Sequence, residues 1–246
     1  MDTIQGAIEN LYSVFSSFRL RDQIEVCNHC HDLKEAQLIR SKSLRSLRVD
    51  ELHHYIRDAM TAWGDDYDFR HFLPRILELC ALDERLTSEF VDEPIVLGKL
   101  RYGKWQTWPE AQRQAVRNYL HALWELKIEH QFPWEDFTPP LIEGWLCAIG
   151  QAEDDLHLYL HRWTVSTSLA AIGNLSHFIV SVWEEVLKGK LSDTFWQGRK
   201  EQCLQVVKWL SGETVKAALL NASPQNLTPV ALEWLNRARD CLRPPA

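Results

Sequence analysis

Apolar residues recur at intervals of three and four positions along most of the chain. This spacing places them on one face of an α-helix. The two clearest segments are residues 4–18 and 50–63, and the apolar face of the second would carry Leu52, Tyr55 and Ile56. Strand-like alternation of Val, Ile and Thr is scarce. The pattern therefore predicts an all-α fold without a central sheet.

Further helices are predicted from the same spacing and from capping residues at their starts. Thr107 and Glu110 have the spacing of a capping box, which predicts the start of the longest helix. Thr228 and Pro229 form a good N-cap and first-turn pair for the last helix. The predicted segments are 32–39, 74–82, 93–103, 107–130, 139–149, 154–163, 166–187, 192–210, 213–221 and 228–242.

Short links between these helices are typical of a multi-helix array, either a HEAT-like α-solenoid or an irregular bundle. The helix starts near positions 93, 108, 139 and 154 approach the ~40–47-residue period of HEAT-like units. The residues themselves do not repeat. We expect residues 1–246 to form a single all-helical domain.

The densest group of chemically distinct side chains lies in one predicted bend. A helix is expected to end at Trp63, and Gly64 to break it. A short turn or helical piece should follow, and then a helix or kink from Pro74. One aspartate should cap the next helix while its neighbours pair with Arg70 or Arg75. The residues of this structural motif are Trp63, Gly64, Asp65, Asp66, Asp68, Arg70, His71, Pro74 and Arg75.

The composition is that of an ordinary globular protein, with 46% hydrophobic and 25% charged residues among 246. Eleven Trp residues are unusual, and Trp commonly anchors cores or interfaces. The formal net charge of −7 argues against a general nucleic-acid binder, which needs a basic face. This charge is compatible with a basic protein partner.

The N-terminal residues lack the basic and apolar regions of a secretory signal. No apolar run approaches the ~20 residues of a membrane-spanning helix. Six cysteines in a chain of this length do not form a dense disulfide scaffold. We therefore expect a cytoplasmic location and no membrane segment.

The first candidate chemical site is Cys27-Asn-His-Cys30-His31. It has the form of a covalent haem signature, but that attachment normally takes place outside the cytoplasm. The two thiols and either His29 or His31 could supply zinc ligands, although a closed site needs a fourth. A redox dithiol lacks its usual βαβ setting. We rank two partly buried structural thiols first, zinc second and redox chemistry third, and we expect no cofactor.

The aspartates of the bend are the second candidate site. Asp66 and Asp68 begin like a calcium loop, but Arg70 occupies the next ligand position. His71 beside Asp68 is the best candidate for an acid–base pair. The sequence contains no phosphate-binding loop, no dinucleotide glycine motif and no His-Glu-x-x-His motif. An enzyme is therefore the less favoured hypothesis.

Cys27-x-x-Cys30 precedes Trp-Gly-Asp-x-x-Asp-Phe-Arg-His-Phe-Leu-Pro-Arg-x-Leu-Glu, which runs from Trp63 to Glu78. Together they resemble a family of uncharacterised bacterial helical proteins. This resemblance covers about the first third of the chain and implies no reaction and no catalytic residue. In its helical, acidic and motif-poor character the chain is also similar to immunity proteins of bacterial polymorphic toxin systems.

Two classes of function follow. The first is a cytoplasmic protein-binding module, and the similarity to immunity proteins implies one that neutralises a basic toxin domain by direct binding. Acidic side chains and aromatic anchors would form its contact surface. The alternative is a metal-binding protein or an enzyme centred on Cys27, Cys30 and the segment Asp65–His71.

Overall fold

The computed structural model of the chain describes residues 3–27, 33–131, 141–192 and 194–243. Within these ranges most residues lie in twelve α-helices, and none forms a β-strand. The all-α prediction is confirmed. The helices are α1 (Ile4–Val14), α2 (Leu33–Ser41), α3 (Val49–Asp58), α4 (Asp66–Leu82), α5 (Glu93–Tyr102), α6 (Glu110–Ile128), α7 (Leu141–Ala152), α8 (His157–Val165), α9 (Leu169–Leu187), α10 (Lys200–Leu210), α11 (Glu213–Asn221) and α12 (Pro229–Cys241).

The chain divides into two compact units, called the N-terminal unit (Met1–Leu123) and the C-terminal unit (Trp124–Ala246) below. Each unit has its own buried apolar residues. The predictions of a single domain and of a HEAT-like solenoid both stay predictions.

Helix α4 is the centre of the N-terminal unit and packs against α1, α3 and α5. Its buried face includes Phe69, Phe72 and Leu73. The ring of Phe72 lies 4.5 Å from the ring of Tyr55 on α3. This contact packs an apolar residue of α4 against α3, the helix before the bend.

Helix α3 ends at Asp58, so the prediction that it continues to Trp63 is wrong. Lys99 of α5 is buried and donates a hydrogen bond from Nζ to the carbonyl of Ala59 at 2.9 Å. A cation at this position satisfies a carbonyl at the helix C-terminus and complements the helix dipole. Met60 then has a φ of 64°, in the left-handed region that a continuing α-helix does not use.

Helix α4 runs from Asp66 to Leu82 with Pro74 inside it, which confirms a helical piece before Pro74 and shows that the predicted helix start at Pro74 is wrong. The alternative of a kink at Pro74 stays a prediction. An interior proline removes one backbone hydrogen bond and crowds the preceding turn. Two features offset this cost. Asp65 caps the helix at its start, and Pro74 lies in the buried apolar face of α4.

The predicted capping box at the start of α6 is also wrong. Thr107 lies in a short 3₁₀ turn, Trp105–Thr107, which follows Lys104 with its left-handed φ of 53°. The Thr107 hydroxyl donates to the carbonyl of Lys104 at 2.8 Å. Because this hydroxyl is used within the turn, α6 begins later, at Glu110.

An aromatic cluster around Trp163 of α8 forms the centre of the C-terminal unit. The Trp163 ring lies 5.4 Å from Trp124, 5.8 Å from Phe178 and 5.4 Å from Trp209. Its indole nitrogen donates to the carbonyl of Ala171 at 3.0 Å. These contacts connect α8 to α9 and α10.

Helices α9 and α12 form the most extensive helix–helix contact of the C-terminal unit. His177 and Trp234 meet there edge to face, with their rings 4.5 Å apart. Thr228 accepts a hydrogen bond from the amide of Ala231 at 3.2 Å, which confirms the predicted cap of α12.

In the described ranges no single helix has the length and apolarity to cross a membrane. Within the same ranges α8 and α9 taken together meet that test, and they are bent by 117°.

Gly150 of α7 is expected to be required for packing in the C-terminal unit. A Cβ at this position would lie 2.8 Å from the ring of Trp196, which is itself buried. Gly150→Ala should lower the free energy of unfolding by about 1–2 kcal/mol, because overpacking outweighs the ~1 kcal/mol gain in helix propensity. A Cβ at Gly198 would meet no atom within 4 Å. Gly198→Ala is the control and should leave the midpoint of urea denaturation unchanged. Equal effects of the two variants would show that contact with Trp196 is not what makes Gly150 necessary.

Candidate functional site

The segment between α3 and α4, called the α3–α4 bend, is held by its own backbone. The amide of Met60 donates to the carbonyl of Trp63 at 3.0 Å, and the amide of Trp63 donates to the carbonyl of Asp58 at 3.1 Å. Gly64 follows with a φ of 65°, a conformation that a residue without a Cβ adopts readily. Because α3 has already ended at Asp58, the prediction that Gly64 breaks this helix is wrong, and Gly64 instead supplies a left-handed residue just before the cap of α4.

A second segment of the N-terminal unit runs beside the bend. The amide of Cys27 donates to the carbonyl of Ala62 at 2.9 Å, and the amide of Gly64 donates to the carbonyl of Glu25 at 2.7 Å. Val26 and Trp63 form an isolated antiparallel bridge. The bend is thus fixed by a neighbour distant in sequence as well as by its own turn.

Asp65 and Asp68 cap α4 reciprocally. Asp65 Oδ1 accepts hydrogen bonds from the amides of Tyr67 at 2.9 Å and Asp68 at 3.1 Å. Asp68 Oδ2 accepts one from the amide of Asp65 at 3.2 Å. Among the three aspartates, Asp65 is therefore the N-cap of the helix.

Arg21 neutralises the pair of aspartates. Its Nε donates to Asp68 Oδ1 at 2.9 Å, and its Nη2 contacts both Asp68 and Asp65. Burial alone would raise the pKa of Asp65, but hydrogen bonds from Arg21 and from backbone amides outweigh burial and lower that pKa. Asp68 is 1% exposed, so this ion pair has one fully buried member. The prediction that Arg70 or Arg75 pairs with Asp68 is wrong.

Arg70 pairs with another aspartate of the bend and packs against aromatic rings. Arg70 Nη2 lies 2.5 Å from Asp66, which confirms the predicted pairing for this one aspartate. Its guanidinium lies 4.4 Å from the ring of Trp108 and 5.4 Å from the ring of Phe18. These are the distances of cation–π contacts, so Arg70 is used in packing.

His71 and Asp68 do not form the predicted acid–base pair. His71 Nδ1 lies 2.9 Å from the carbonyl of Phe18, which makes that nitrogen a hydrogen-bond donor. Asp68 is bound by Arg21 instead. Arg75 donates to the carbonyl of Leu47 at 2.7 Å. The polar groups of the bend therefore hold segments of the N-terminal unit together.

The cysteine motif is described only in part. Cys27 is exposed, so the prediction of a partly buried thiol is wrong at this position. Cys30, His29 and His31 lie outside the described residues. In the ranges that the structure describes, no three His, Cys, Asp or Glu side chains come together as metal ligands. The ranking of structural thiols, zinc and redox chemistry stays a prediction.

A histidine pair on α3 lies apart from the bend. The ring of His53 lies 4.0 Å from the ring of His54 and 4.5 Å from the ring of Phe90. His54 Nδ1 lies 3.1 Å from a carboxylate oxygen of Glu35. Burial, together with repulsion from His54, lowers the pKa of His53.

This lowered pKa predicts a pH-dependent stability. Between the folded pKa of His53 and its ordinary value near 6.5, the unfolded chain binds more protons than the folded chain. The free energy of unfolding should therefore fall as the pH is lowered from about 6.5 through this interval. His53→Gln should reduce the slope of urea stability against pH. An unchanged slope in this variant would contradict the assignment.

Three grooves of the described chain meet at the C-terminal end of α8 and the turn into α9. The uncharged groove, of about 550 Å³, lies against Trp163, Leu175 and Ala218. The glutamate groove, of about 480 Å³, is lined by Glu125, Glu129 and Arg162, among others. The histidine groove, of about 600 Å³, is lined by Asp155, His157, His161 and Lys208, among others. Residues 164–167 form their shared walls.

Exposed apolar side chains lie beside these grooves. Leu158 is 61% exposed, Val165 is 52% exposed and Leu169 is 43% exposed. Together with the three grooves they are called the α8–α9 surface below. Exposed apolar groups next to concave, partly polar surface are typical of interaction sites.

The charges of the α8–α9 surface are partly paired. Arg162 forms an ion pair with Glu125, and the Ser166 hydroxyl donates to Glu129 at 2.8 Å. The rings of His157 and His161 stack with their centroids 6.4 Å apart. Carboxylates outnumber cationic side chains in the glutamate groove, which therefore favours a cationic contact.

Sequence reasoning missed this surface because its residues come from separate helices. One local signal was present. Leu158 and Val165 fall off the face of α8 that carries the buried residues Tyr159, Leu160 and Trp163. Apolar residues on the polar side of an amphipathic helix indicate a second contact.

Comparison with protein-family models, with curated proteins and with solved structures found no match to this chain.

Proposed function

We propose that this protein is a protein-binding module that engages its partner through the α8–α9 surface. The observation that carries the proposal is a group of exposed apolar side chains on this surface. Val165 lines the glutamate and histidine grooves, Leu169 lines the uncharged groove, and Leu158 lies on the same helix as Val165. Apolar anchors surrounded by polar groups are the usual arrangement of a protein interface.

The side-chain chemistry of the N-terminal bend supports binding over catalysis. Asp68 and His71 are the best acid–base candidates of the sequence, and each is engaged by another group of its own unit. Such pairing fixes the backbone between α3 and α4. A catalytic role would instead require one of these groups to face a substrate.

The partner that we propose is a basic protein domain. The net charge of −7 steers a cationic protein towards the chain, and association should slow as the salt concentration rises. Neutralisation of a toxin domain, as immunity proteins perform it, is the specific form of this proposal. A rigid helical surface is sufficient for such inhibition, and no reaction motif is needed.

Val165→Arg tests the proposal. The substitution places a large cation among the apolar contacts, and we expect the affinity for a partner captured from host cells to fall at least about tenfold, a loss of about 1.4 kcal/mol. Val165 lies at the end of α8, where a cation favours the helix, so the fold should be retained. The affinity is measured by titration calorimetry.

Val230→Arg is the matched control. Val230 is 50% exposed on α12 and lies outside the three grooves. This variant should bind as the unmodified chain does. Equal affinity of the Val165 and Val230 variants would place the interface elsewhere, and turnover of a small molecule by the purified chain with no captured partner would reject the proposed function.

A further inference from the structure

The uncharged groove differs in chemistry from the two grooves beside it. Fifteen residues line it, and none is Asp, Glu, Lys, Arg or His. The glutamate groove contains Glu125, Glu129 and Arg162. The histidine groove contains Asp155 and Lys208. In a chain with 25% charged residues, a concave surface of this size without charge restricts what it can bind. An ionised ligand would lose its hydration there without gaining a counter-charge.

The floor and the rim of this groove have different polarity. Trp163, Leu175 and Leu219 provide a buried apolar floor. Small side chains, including Ala218 and Ala222 on and just after α11, leave room above the floor. A ligand with an apolar body would cover this floor and remove it from water.

The rim carries carboxamides that are available to a ligand. Asn221, Gln225 and Asn226 are exposed, and their side chains make no hydrogen bond to any residue that the structure describes. A carboxamide both donates and accepts hydrogen bonds. Such a rim matches neutral amide, carbonyl and hydroxyl groups on a ligand.

We propose that the uncharged groove is a binding site for an uncharged, amphipathic small molecule that combines an apolar body with amide or hydroxyl groups. Its volume of about 550 Å³ lies within the range of small-molecule sites, roughly 300–1,000 Å³. This groove is one part of the α8–α9 surface, but its ligand is a small molecule whose binding is measured on the chain alone. Its ligand contacts the apolar floor with its body and the carboxamides of the rim with its polar groups.

The experiment uses two neutral probes and one charged analogue. Nile red, an uncharged dye, should bind the full chain at one equivalent with a blue-shifted emission. N-acetyl-tryptophanamide, which is also uncharged, should displace it. N-acetyl-tryptophan carries a carboxylate in place of the amide and should displace it at least about tenfold less well, because the groove offers no cation.

Two variants locate the site. Ala218→Trp fills the groove from its wall and should weaken Nile red binding at least tenfold. Ala217→Trp changes the adjacent exposed position of α11, which does not line the groove, and should bind as the unmodified chain does. Thermal unfolding of both variants checks that they are folded.

Asn221→Ala tests the rim separately from the floor. This variant should bind N-acetyl-tryptophanamide more weakly while retaining its affinity for Nile red. No saturable binding of Nile red, equal binding by the Ala218 and Ala217 variants, or equal displacement by the neutral and the anionic competitor would each overturn the proposal. None of these results depends on whether a protein partner is found, so the two proposals fail separately.

Discussion

Gly64→Val is expected to lower the free energy of unfolding by about 4 kcal/mol, the largest effect of any single substitution proposed for this chain. Two costs add. Gly64 has a φ of 65°, which a β-branched residue strongly resists. A Cβ there would also lie 2.8 Å from Asp68 Oδ2 and 3.2 Å from Ile24. Urea denaturation followed by circular dichroism measures the loss.

Gly189→Val separates the two costs. Gly189 also has a left-handed φ, 72°, but a Cβ there would meet no atom within 4 Å. This variant should lose only about 1–2 kcal/mol from backbone strain. If Gly64→Val costs no more than Gly189→Val, the close approach of Gly64 to the capping aspartate has no energetic role.

Arg21→Met is expected to destabilise the chain more than Asp68→Asn does, although both variants break the same ion pair. Asp68 is 1% exposed, whereas the Arg21 side chain is 41% exposed. Removing Arg21 leaves a buried carboxylate without its cation and should cost about 3 kcal/mol, the lower end of the range for a broken buried pair. Removing the carboxylate leaves a cation that water can reach, at a cost of about 1 kcal/mol.

The double variant Arg21→Met with Asp68→Asn checks the cause of this asymmetry. Once the carboxylate is absent, loss of the arginine leaves no buried charge, so the double variant should be more stable than Arg21→Met alone. Asp65→Asn is the control, because asparagine caps a helix about as well as aspartate and the Asp65 side chain is 58% exposed. If the effects of the Arg21 and Asp68 changes on the free energy of unfolding are additive, the unpaired buried carboxylate is not the cause of the asymmetry.

The helices could be predicted from the sequence because each depends on local periodicity. The spacing of Leu52, Tyr55 and Ile56 corresponds to the buried face of α3. The predicted cap at Thr228 is present for the same reason, since an N-cap acts on amides only a few residues ahead.

The errors occurred where distant residues decide the local structure. Lys99 binds the carbonyl of Ala59, and α3 ends there although the apolar pattern continues to Trp63. Arg21 reaches Asp68 across 47 positions, so no window of sequence pairs them. The interior Pro74 is tolerated because α4 is capped at its start and buried along its face, which propensity alone does not indicate.

The α8–α9 surface could not be predicted from the sequence, because the walls of each groove come from separate helices. Trp163 and Ala218 belong to α8 and α11, and the sequence gives no measure of their separation. Exposed apolar residues on the polar face of α8 were the available signal. The Asp65–His71 segment contains more polar and charged groups, which made it the stronger candidate by sequence. In the structure these groups form contacts within the N-terminal unit.

Hydrogen–deuterium exchange of the protein with and without its captured partner locates the interface, since protection reports where a partner covers the backbone or stabilises it. We expect protection in peptides covering Leu156 to Leu169 and no change in peptides covering Asp58 to Arg75. Protection confined to Asp58 to Arg75, with unchanged exchange from Leu156 to Leu169, would contradict the assignment of the interface to α8 and α9.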